Sequence, residues 1–569
     1  MFSTEPPESS SARETSSEQL AEGTLVRRRS RTARVTRPPR LLSALLLVAA
    51  ALAGTAQARA ADGAPGPATP VPLTHVIPAP ASVHPGGDPY EITARTRIRV
   101  PHDAPEARRI AGRLAALLRP STGYPLPVTS TGGPGGGDGI RLLLGDPDPA
   151  LGAEGYRLTV TRRSVTLSAR EPAGLFHGVQ TLRQLLPPRV ERDHRQPGPW
   201  TVSGGTVTDV PRYAHRGAML DVARHFFPVD EVKRTVDQLA LYKMNTLHLH
   251  LSDDQGWRLA VDSWPRLATY GGSTQVGGGP GGFYDKDDYR EIVRYAASRH
   301  VTVVPEIDMP GHTNAALASY ARLNCDGVAP PLYTGTSVGF SSLCVGKPDT
   351  DEFVDDVLGE LAELTPGPTL HIGGDEAHST GHADYAAFME KAQRAVARHG
   401  KRVAGWHQLA GARPAPGALL QYWGYDRTGA AERAQVVAAV RAGAGLVLSP
   451  ADRAYLDMKY TKDTPLGLEW AGLVEVRRSY DWDPGSYLPG VPESAVAGVE
   501  APLWTETVST RAQREYLTFP RLPGVAELGW SPRSTHGWGG YRVRLAAQGP
   551  RWEAMGVSYY RSPQVPWVG

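Results

Sequence analysis

Two carboxyl side chains, Asp375 and Glu376, stand side by side in the segment HIGGDE. Neighbouring residues at a strand end point in different directions, so such a pair can divide two tasks. One carboxyl kept protonated can hand a proton to a leaving oxygen, while the other attacks or assists an attack. An isolated Asp-Glu pair is ordinarily a solvated loop; the Gly-Gly before it, at a strand end, argues for a site. Trp406, Trp423, Trp470 and Trp504 add a second signal, since all fall near predicted strand ends or in the loops beyond. Any one of them would suit a core. Four around one mouth suit a pocket that stacks the apolar faces of a sugar.

His248 and His250 alternate in HLHLSDDQGW and share one face of a strand, which admits metal ligation or packing inside the fold. No matching third and fourth ligands recur at other strand ends, which favours packing. Asp253, at the end of that strand, could orient a neighbour. His312, in MPGHTNA, could relay charge or protons to a carboxylate.

Something must hold these residues together. From about Thr208 onward, eight short apolar runs alternate with helical stretches: 217–222, 245–251, 301–308, 369–376, 402–406, 418–423, 445–450 and 496–504. The pattern predicts a (β/α)8 TIM barrel over 208–569, with chemistry just beyond the strand C-termini. Asp253, His312, Asp375, Glu376, Trp406, Trp423, Tyr455, Trp504 and Glu506 all cluster in those places. Ahead of the barrel, 75–207 predicts a smaller α+β accessory domain. Its expected parts are a strand over 92–100, a helix over 105–118, a loop in TGGPGGGDG, a hairpin over 156–169 and a helix over 174–187.

The 569 residues exceed one ordinary domain. Residues 1–61 read as a leader and 62–74 as a Gly/Pro/Ala-rich linker. A run of arginines (27–40), an apolar run (41–54) and then Ala56-Gln57-Ala58 follow the order of a signal peptide. Secretion is expected, with cleavage near Ala58 to Ala61; the long basic region puts the expected translation start nearer Val26. The 14-residue apolar run is short of the roughly 20 residues that span a bilayer, so no stable membrane span is expected. Residues 1–58 hold eight arginines and five glutamates, so 53 basic face 53 acidic residues in the remainder. That balance leaves no basic footprint for nucleic acid. Cys325 and Cys344, the two cysteines of an exported chain, are expected to pair. Closing that loop is worth about 3 kcal/mol.

The motifs RGAMLDVARHFFP, HLHLSDDQGWR, EIDMPGH, HIGGDE, QYW and APLWTE, with the helix GLFHGVQTLRQLLP, resemble family 20 of the glycoside hydrolases, the β-N-acetylhexosaminidases. The resemblance covers about residues 75–545. It implies retaining hydrolysis of terminal GlcNAc or GalNAc, with the substrate's own 2-acetamido oxygen attacking the anomeric carbon to form an oxazolinium ion. By resemblance, Glu376 is the general acid and then the base, Asp375 holds the acetamido N–H, and Tyr455 aims the acetamido oxygen. Trp406, Trp423 and Trp504 would wall the acetamido pocket, and Trp470 would flank the sugar nearer its leaving group. Arg224 would grip the 3- and 4-hydroxyls, Asp457 and Glu506 the 4- and 6-hydroxyls, while Asp253 and His312 tune Glu376.

The partner so implied is an N-acetylhexosamine-terminated oligosaccharide. No metal or organic cofactor is implied, because the substrate carries the nucleophile. Three rival readings stand beside this one: a metal-dependent barrel hydrolase, a lacto-N-biosidase-like enzyme that releases a disaccharide, and a non-catalytic glycan-binding protein. Arg224, Asp457 and Glu506 favour a pocket for one sugar over the disaccharide reading.

Overall fold

The computed structural model describes residues 70–131 and 137–568. The leader with its cleavage site, linker residues 62–69 and most of the glycine loop (132–136) lie outside the described residues. Among the described residues no helix is long and apolar enough to cross a membrane.

All eight apolar runs are strands, labelled here β1 (His215–Asp221), β2 (Thr246–His250), β3 (Thr302–Glu306), β4 (Thr369–His371), β5 (Arg402–Trp406), β6 (Leu419–Tyr422), β7 (Gly445–Leu448) and β8 (Val496–Leu503). Each pairs in parallel with the next, and β8 returns to β1 to close the barrel. Parallel strands buried on both faces read as continuous apolar runs rather than alternations, which is why they stood out in the sequence. The helices between them carry ordinary amphipathic signals. In Lys286–Ala297, Asp285 and Asp288 cap each other's backbone N–H groups, and Tyr289, Ile292 and Ala296 bury one face.

The accessory domain is a seven-stranded sheet in the order Ser82–Pro85, Gly205–Asp209, Tyr156–Val160, Ser164–Ala169, Gly139–Leu144, Ile98–Pro101, Val128–Thr131. The expected hairpin is present, with Tyr156 opposite Ala169. The first helix runs further than expected, Pro105–Thr122, and ends where Gly123 turns left-handed at φ 68. The single strand expected over 92–100 is two strands. Tyr90–Ile92 pairs with Trp200–Val202, and Ile98–Pro101 joins the main sheet. Between them Thr96 makes a turn: its hydroxyl accepts from Thr93 N–H at 2.9 Å, and its own N–H donates to Thr93 O at 3.0 Å. A turn closed by a threonine hydroxyl leaves the apolar alternation intact, so the pattern conceals it.

The last accessory strand, Gly205–Asp209, straddles the predicted boundary at 207, and the chain enters the barrel at His215. A buried ion pair, Lys243 Nζ to Asp209 Oδ2 at 2.8 Å, ties sheet to barrel. Tyr156 and Trp530 also hydrogen-bond Asp209.

Candidate active site

β4 stops at His371, and the chain turns through Gly373 (φ 61) and Gly374 (φ 102). A Cβ on Gly373 would lie 1.7 Å from Asp308 Oδ1, and one on Gly374 would lie 2.8 Å from Met389 Cε. Only glycine fits both the dihedrals and the space. The turn delivers Asp375 inward and leaves Glu376, itself at φ 45, at the mouth. His312 is also left-handed at φ 56. Of the six non-glycine residues with left-handed φ among the described residues, these two lie together in one cavity wall and mark backbone that its surroundings must hold in place.

The carboxyls differ in ionisation. Burial pushes Asp375 up to about 6, and the Glu376 charge adds to this against the pull of His312. Glu376 keeps 31% of its side chain exposed. Burial raises it too, but the His312 hydrogen bond and charge, helped by Arg224 and His378, hold it below the usual glutamate range. His312 Nε2 lies 3.5 Å from Glu376 Oε2, and its Nδ1 lies 3.2 Å from Asp253 Oδ1. Asp253 is buried, held well below the carboxylate range by Arg224, His312 and His250 against burial.

The same cavity has further charged groups in its lining. Arg224 Nη2 pairs with Asp253 Oδ2 at 2.8 Å, and its guanidinium lies 4.7 Å over the Trp504 ring. Arg224 Nε and Nη1, Asp457 Oδ2 and Glu506 Oε2 are buried with no protein hydrogen-bond partner. Burial, followed by their mutual repulsion, raises Asp457; burial likewise raises Glu506 against the pull of Arg224. Donors and protonatable oxygens left unpaired in one place suit a polyhydroxylated ligand.

Aromatic rings close the sides. Trp423 meets Trp470 edge-on at 5.8 Å, and Tyr455 meets Trp470 at 5.9 Å. Tyr455 also meets Trp504, 6.4 Å ring to ring. Trp470 is 40% exposed, placed at the rim. One cavity of about 450 Å³ is lined by Arg224, His312, Asp375, Glu376, Trp423, Tyr455, Asp457, Trp470, Trp504 and Glu506. Two expected site residues are not in that lining. Asp253 stands behind His312 and Arg224. Trp406 is fully buried behind Trp504, 5.6 Å ring to ring, and its Nε1 donates to Glu306 at 2.8 Å.

Four lining residues went unread in the sequence: Thr336, Val338, Tyr425 and Leu468. Thr336 and Val338 lie between Cys325 and Cys344, which are bonded (S–S 2.09 Å), so the disulfide staples a loop that forms part of the wall. The cysteine spacing was the available signal. Tyr425, two residues past Trp423, carried another.

The barrel axis holds the histidines, buried as expected. Glu500 accepts from His215 and His248 at 2.8 Å each, and His248 Nε2 faces Glu306 at 3.0 Å. Glu306 meets His250 Nδ1 at 2.6 Å, and His250 Nε2 meets Asp253 at 2.7 Å. An alternating imidazole–carboxylate column thus runs from His215 to Glu376. Burial would depress His248, but Glu500 and Glu306 raise it to about 9. His248, Glu306 and His371 lie close enough together to ligate a cation. Their nitrogens already face Glu306 oxygens at 3.0 Å.

A cavity of about 700 Å³ opens at the other end of the barrel, among the strand starts. Its polar lining includes His248 and Glu500, both committed to the column, and it has no adjacent carboxyl pair. The smaller cavity, at the strand C-termini, is the one lined by the adjacent carboxyls Asp375 and Glu376.

Residues 213–533 match the model "Glycosyl hydrolase family 20, catalytic domain", and 73–210 match "Glycosyl hydrolase family 20, domain 2". A β-N-acetylhexosaminidase of Cellulomonas fimi is 44% identical over 88% of this chain and 98% of its own. A family 20 β-N-acetylhexosaminidase structure from Streptomyces coelicolor A3(2) is 71% identical, covering 88% of this chain and all of that one at TM-score 0.86. A mutant Streptomyces plicatus β-hexosaminidase in complex with the product GlcNAc is 71% identical over 88% of this chain and 99% of its own, also at TM-score 0.86. With two family models laid end to end over a closed eight-stranded barrel and its accessory sheet, the chain belongs to family 20 of the glycoside hydrolases.

Proposed function

We propose that this glycosidase is a retaining exo-β-N-acetylhexosaminidase that removes terminal non-reducing GlcNAc or GalNAc from chitooligosaccharides or glycans. The observation that carries the reading is the division of labour between neighbours. Asp375 is buried beside Tyr455, and Glu376 reaches the mouth with His312 behind it. The Streptomyces plicatus relatives, which hold the product GlcNAc and Thio-NAglucal, support the sugar assignment.

In this mechanism Asp375 accepts the acetamido N–H and Tyr455 donates to the acetamido oxygen, aiming that oxygen at C1. The oxygen forms its bond to C1 as the glycosidic C–O bond breaks. Glu376 gives its proton to the departing oxygen. Asp375 then stands beside the positive charge of the oxazolinium. Water adds to C1 from the face the aglycone left, as the oxazolinium C1–O bond breaks and returns its electron pair to the acetamido oxygen. Glu376 takes the water's proton, and configuration is retained. A sugar over Glu376 removes the remaining solvent and raises the carboxyl, countering His312. Arg224, Asp457 and Glu506 close the inner end, which supports exo-action on one sugar.

We infer that the reaction takes place outside the cytoplasm; the leader-like sequence of residues 1–61 and the Cys325–Cys344 bond support export. N-terminal sequencing of the mature enzyme tests this, and an uncleaved Met1 overturns it.

The deciding experiment compares p-nitrophenyl N-acetyl-β-D-glucosaminide with the matching β-glucoside, which lacks the acetamido group. Turnover of the acetamido sugar alone is expected. Comparable turnover of both would make a protein carboxylate the nucleophile and end this reading.

A further inference from the structure

Glu306 ends β3 inside the barrel and is fully buried. Its two oxygens face different parts of the site. Oε1 accepts the Trp406 Nε1–H at 2.8 Å and lies 3.0 Å from His371 Nδ1. Oε2 lies 2.6 Å from His250 Nδ1 and 3.0 Å from His248 Nε2. One carboxyl therefore starts two chains of contact.

The first chain leads to the pocket wall. Trp406 packs against Trp504 at 5.6 Å, in one apolar cluster with Tyr455, and Trp504 and Tyr455 both line the cavity. The second chain leads to Glu376. His250 Nε2 meets Asp253 Oδ2 at 2.7 Å, and Asp253 Oδ1 meets His312 Nδ1 at 3.2 Å. His312 Nε2 then stands 3.5 Å from Glu376 Oε2. Every link short of Glu376 is buried, where solvent offers no competing partner and a network holds its geometry.

We propose that Glu306 is a positioning residue for both halves of the reaction, setting the wall that holds the acetamido group and the imidazole that orders Glu376. The proposal rests on the roles given above to Tyr455, Trp504 and Glu376. Glu306 is not in the cavity lining, so it acts through Trp406 and His250. Because one carboxyl fixes both, the acetamido oxygen and the proton donor share a single reference point inside the barrel. A supporting group of this kind matters to rate, since a misplacement of about 1 Å relayed from a distance costs about 10²-fold.

Glu500 supplies the comparison. It is a second buried glutamate of the same column, bonded to His215, His248 and Gln421 at 2.8 Å each. Those contacts include neither Trp406 nor His250. The two glutamates are alike as buried acids and differ in what they hold.

The test uses ratios between substrates, because a purely structural loss lowers turnover of every substrate alike and cancels. The first ratio is kcat on an N-acetylglucosamine disaccharide over kcat on an aryl N-acetyl-β-glucosaminide whose leaving group needs no proton; it reads the chain to Glu376. The second is kcat/KM on the aryl N-acetyl substrate over its N-butanoyl analogue; it reads the pocket wall. In Glu306→Ala we expect the first ratio to fall at least about tenfold. The second should fall at least about threefold, as a loosened wall discriminates less against added methylenes. In Glu500→Ala both ratios should stay within about twofold of wild type while Tm drops.

Either ratio unmoved in Glu306→Ala, or either moved as far in Glu500→Ala, would overturn the proposal. Should an alanine variant not fold, Glu306→Asp, too short to span Trp406 and His250 together, is compared with Glu500→Asp by the same criteria. Failure of the substrate-assisted reading would show separately, in wild-type turnover of the β-glucoside.

Discussion

Asp375 and Glu376 are joined by one peptide bond, yet their ionisations are pushed apart, the first up to about 6 and the second below the glutamate range. Burial acts on both. His312 pulls both down, its Nε2 3.5 Å from Glu376 and 3.9 Å from Asp375. The difference is the extent of burial: Asp375 is enclosed, whereas Glu376 keeps 31% of its side chain exposed, so the same imidazole wins at one carboxyl and loses at the other.

The Glu376 role is open to a direct check. Glu376→Gln should lower kcat on a natural disaccharide by at least about 10²-fold, the scale of general acid–base catalysis. The loss should shrink on substrates whose leaving group departs without a proton. Equal losses across a leaving-group series would show that Glu376 is not the acid.

Stability should fall on the alkaline side. His248 is raised to about 9 in the fold by Glu500 and Glu306, against burial. A histidine raised by folding contributes stability that is full below its unfolded value of about 6.5 and lost as pH climbs through the folded value. Asp375, an acid raised by folding to about 6, pushes the same way but only below that value, so it adds nothing to the slope above it. Glu500, held well below its ordinary value, opposes them only in acid. Tm should therefore drop by several degrees between about pH 6.5 and 9. His248→Gln should flatten that slope; a variant with the wild-type slope would place the titration elsewhere.

The disulfide should report in two ways. Cys325→Ser with Cys344→Ser opens a loop of sequence separation 19, for a loss of about 3 kcal/mol. Because Thr336 and Val338 lie on that loop, KM should also rise in the double variant. Lower stability with unchanged KM would mean the loop holds its shape without the bond.

The barrel was legible because each of its strands is a buried run with a helix after it, and its reactive side chains fall at strand ends. What stayed hidden depends on register. His250 pairs with Glu306 across β2 and β3, and Glu306 with His371 across β3 and β4. Glu306 and Glu500 each sit inside an apolar run, where a lone glutamate carries no sign of the histidines facing it. Asp308 escaped for the same reason, the Gly374 N–H that it accepts being 66 positions away. Trp406 shows the opposite limit. Its place at the end of β5 was readable, but not that Trp504 would cover it.

The column of imidazoles and carboxylates along the barrel axis also constrains how this chain can change. Glu306 is shared by His248, His250 and His371, and Glu500 by His215 and His248. Replacing any one of these residues strands a partner's charge in the interior, a costlier outcome than never having had the pair. Single substitutions here are therefore steep downhill steps, whereas matched sets need not be. Drift through the middle of this barrel has to proceed by concerted exchanges, so the axis should be the slowest part of the molecule to diverge, slower even than rim residues such as Trp470 that touch the substrate.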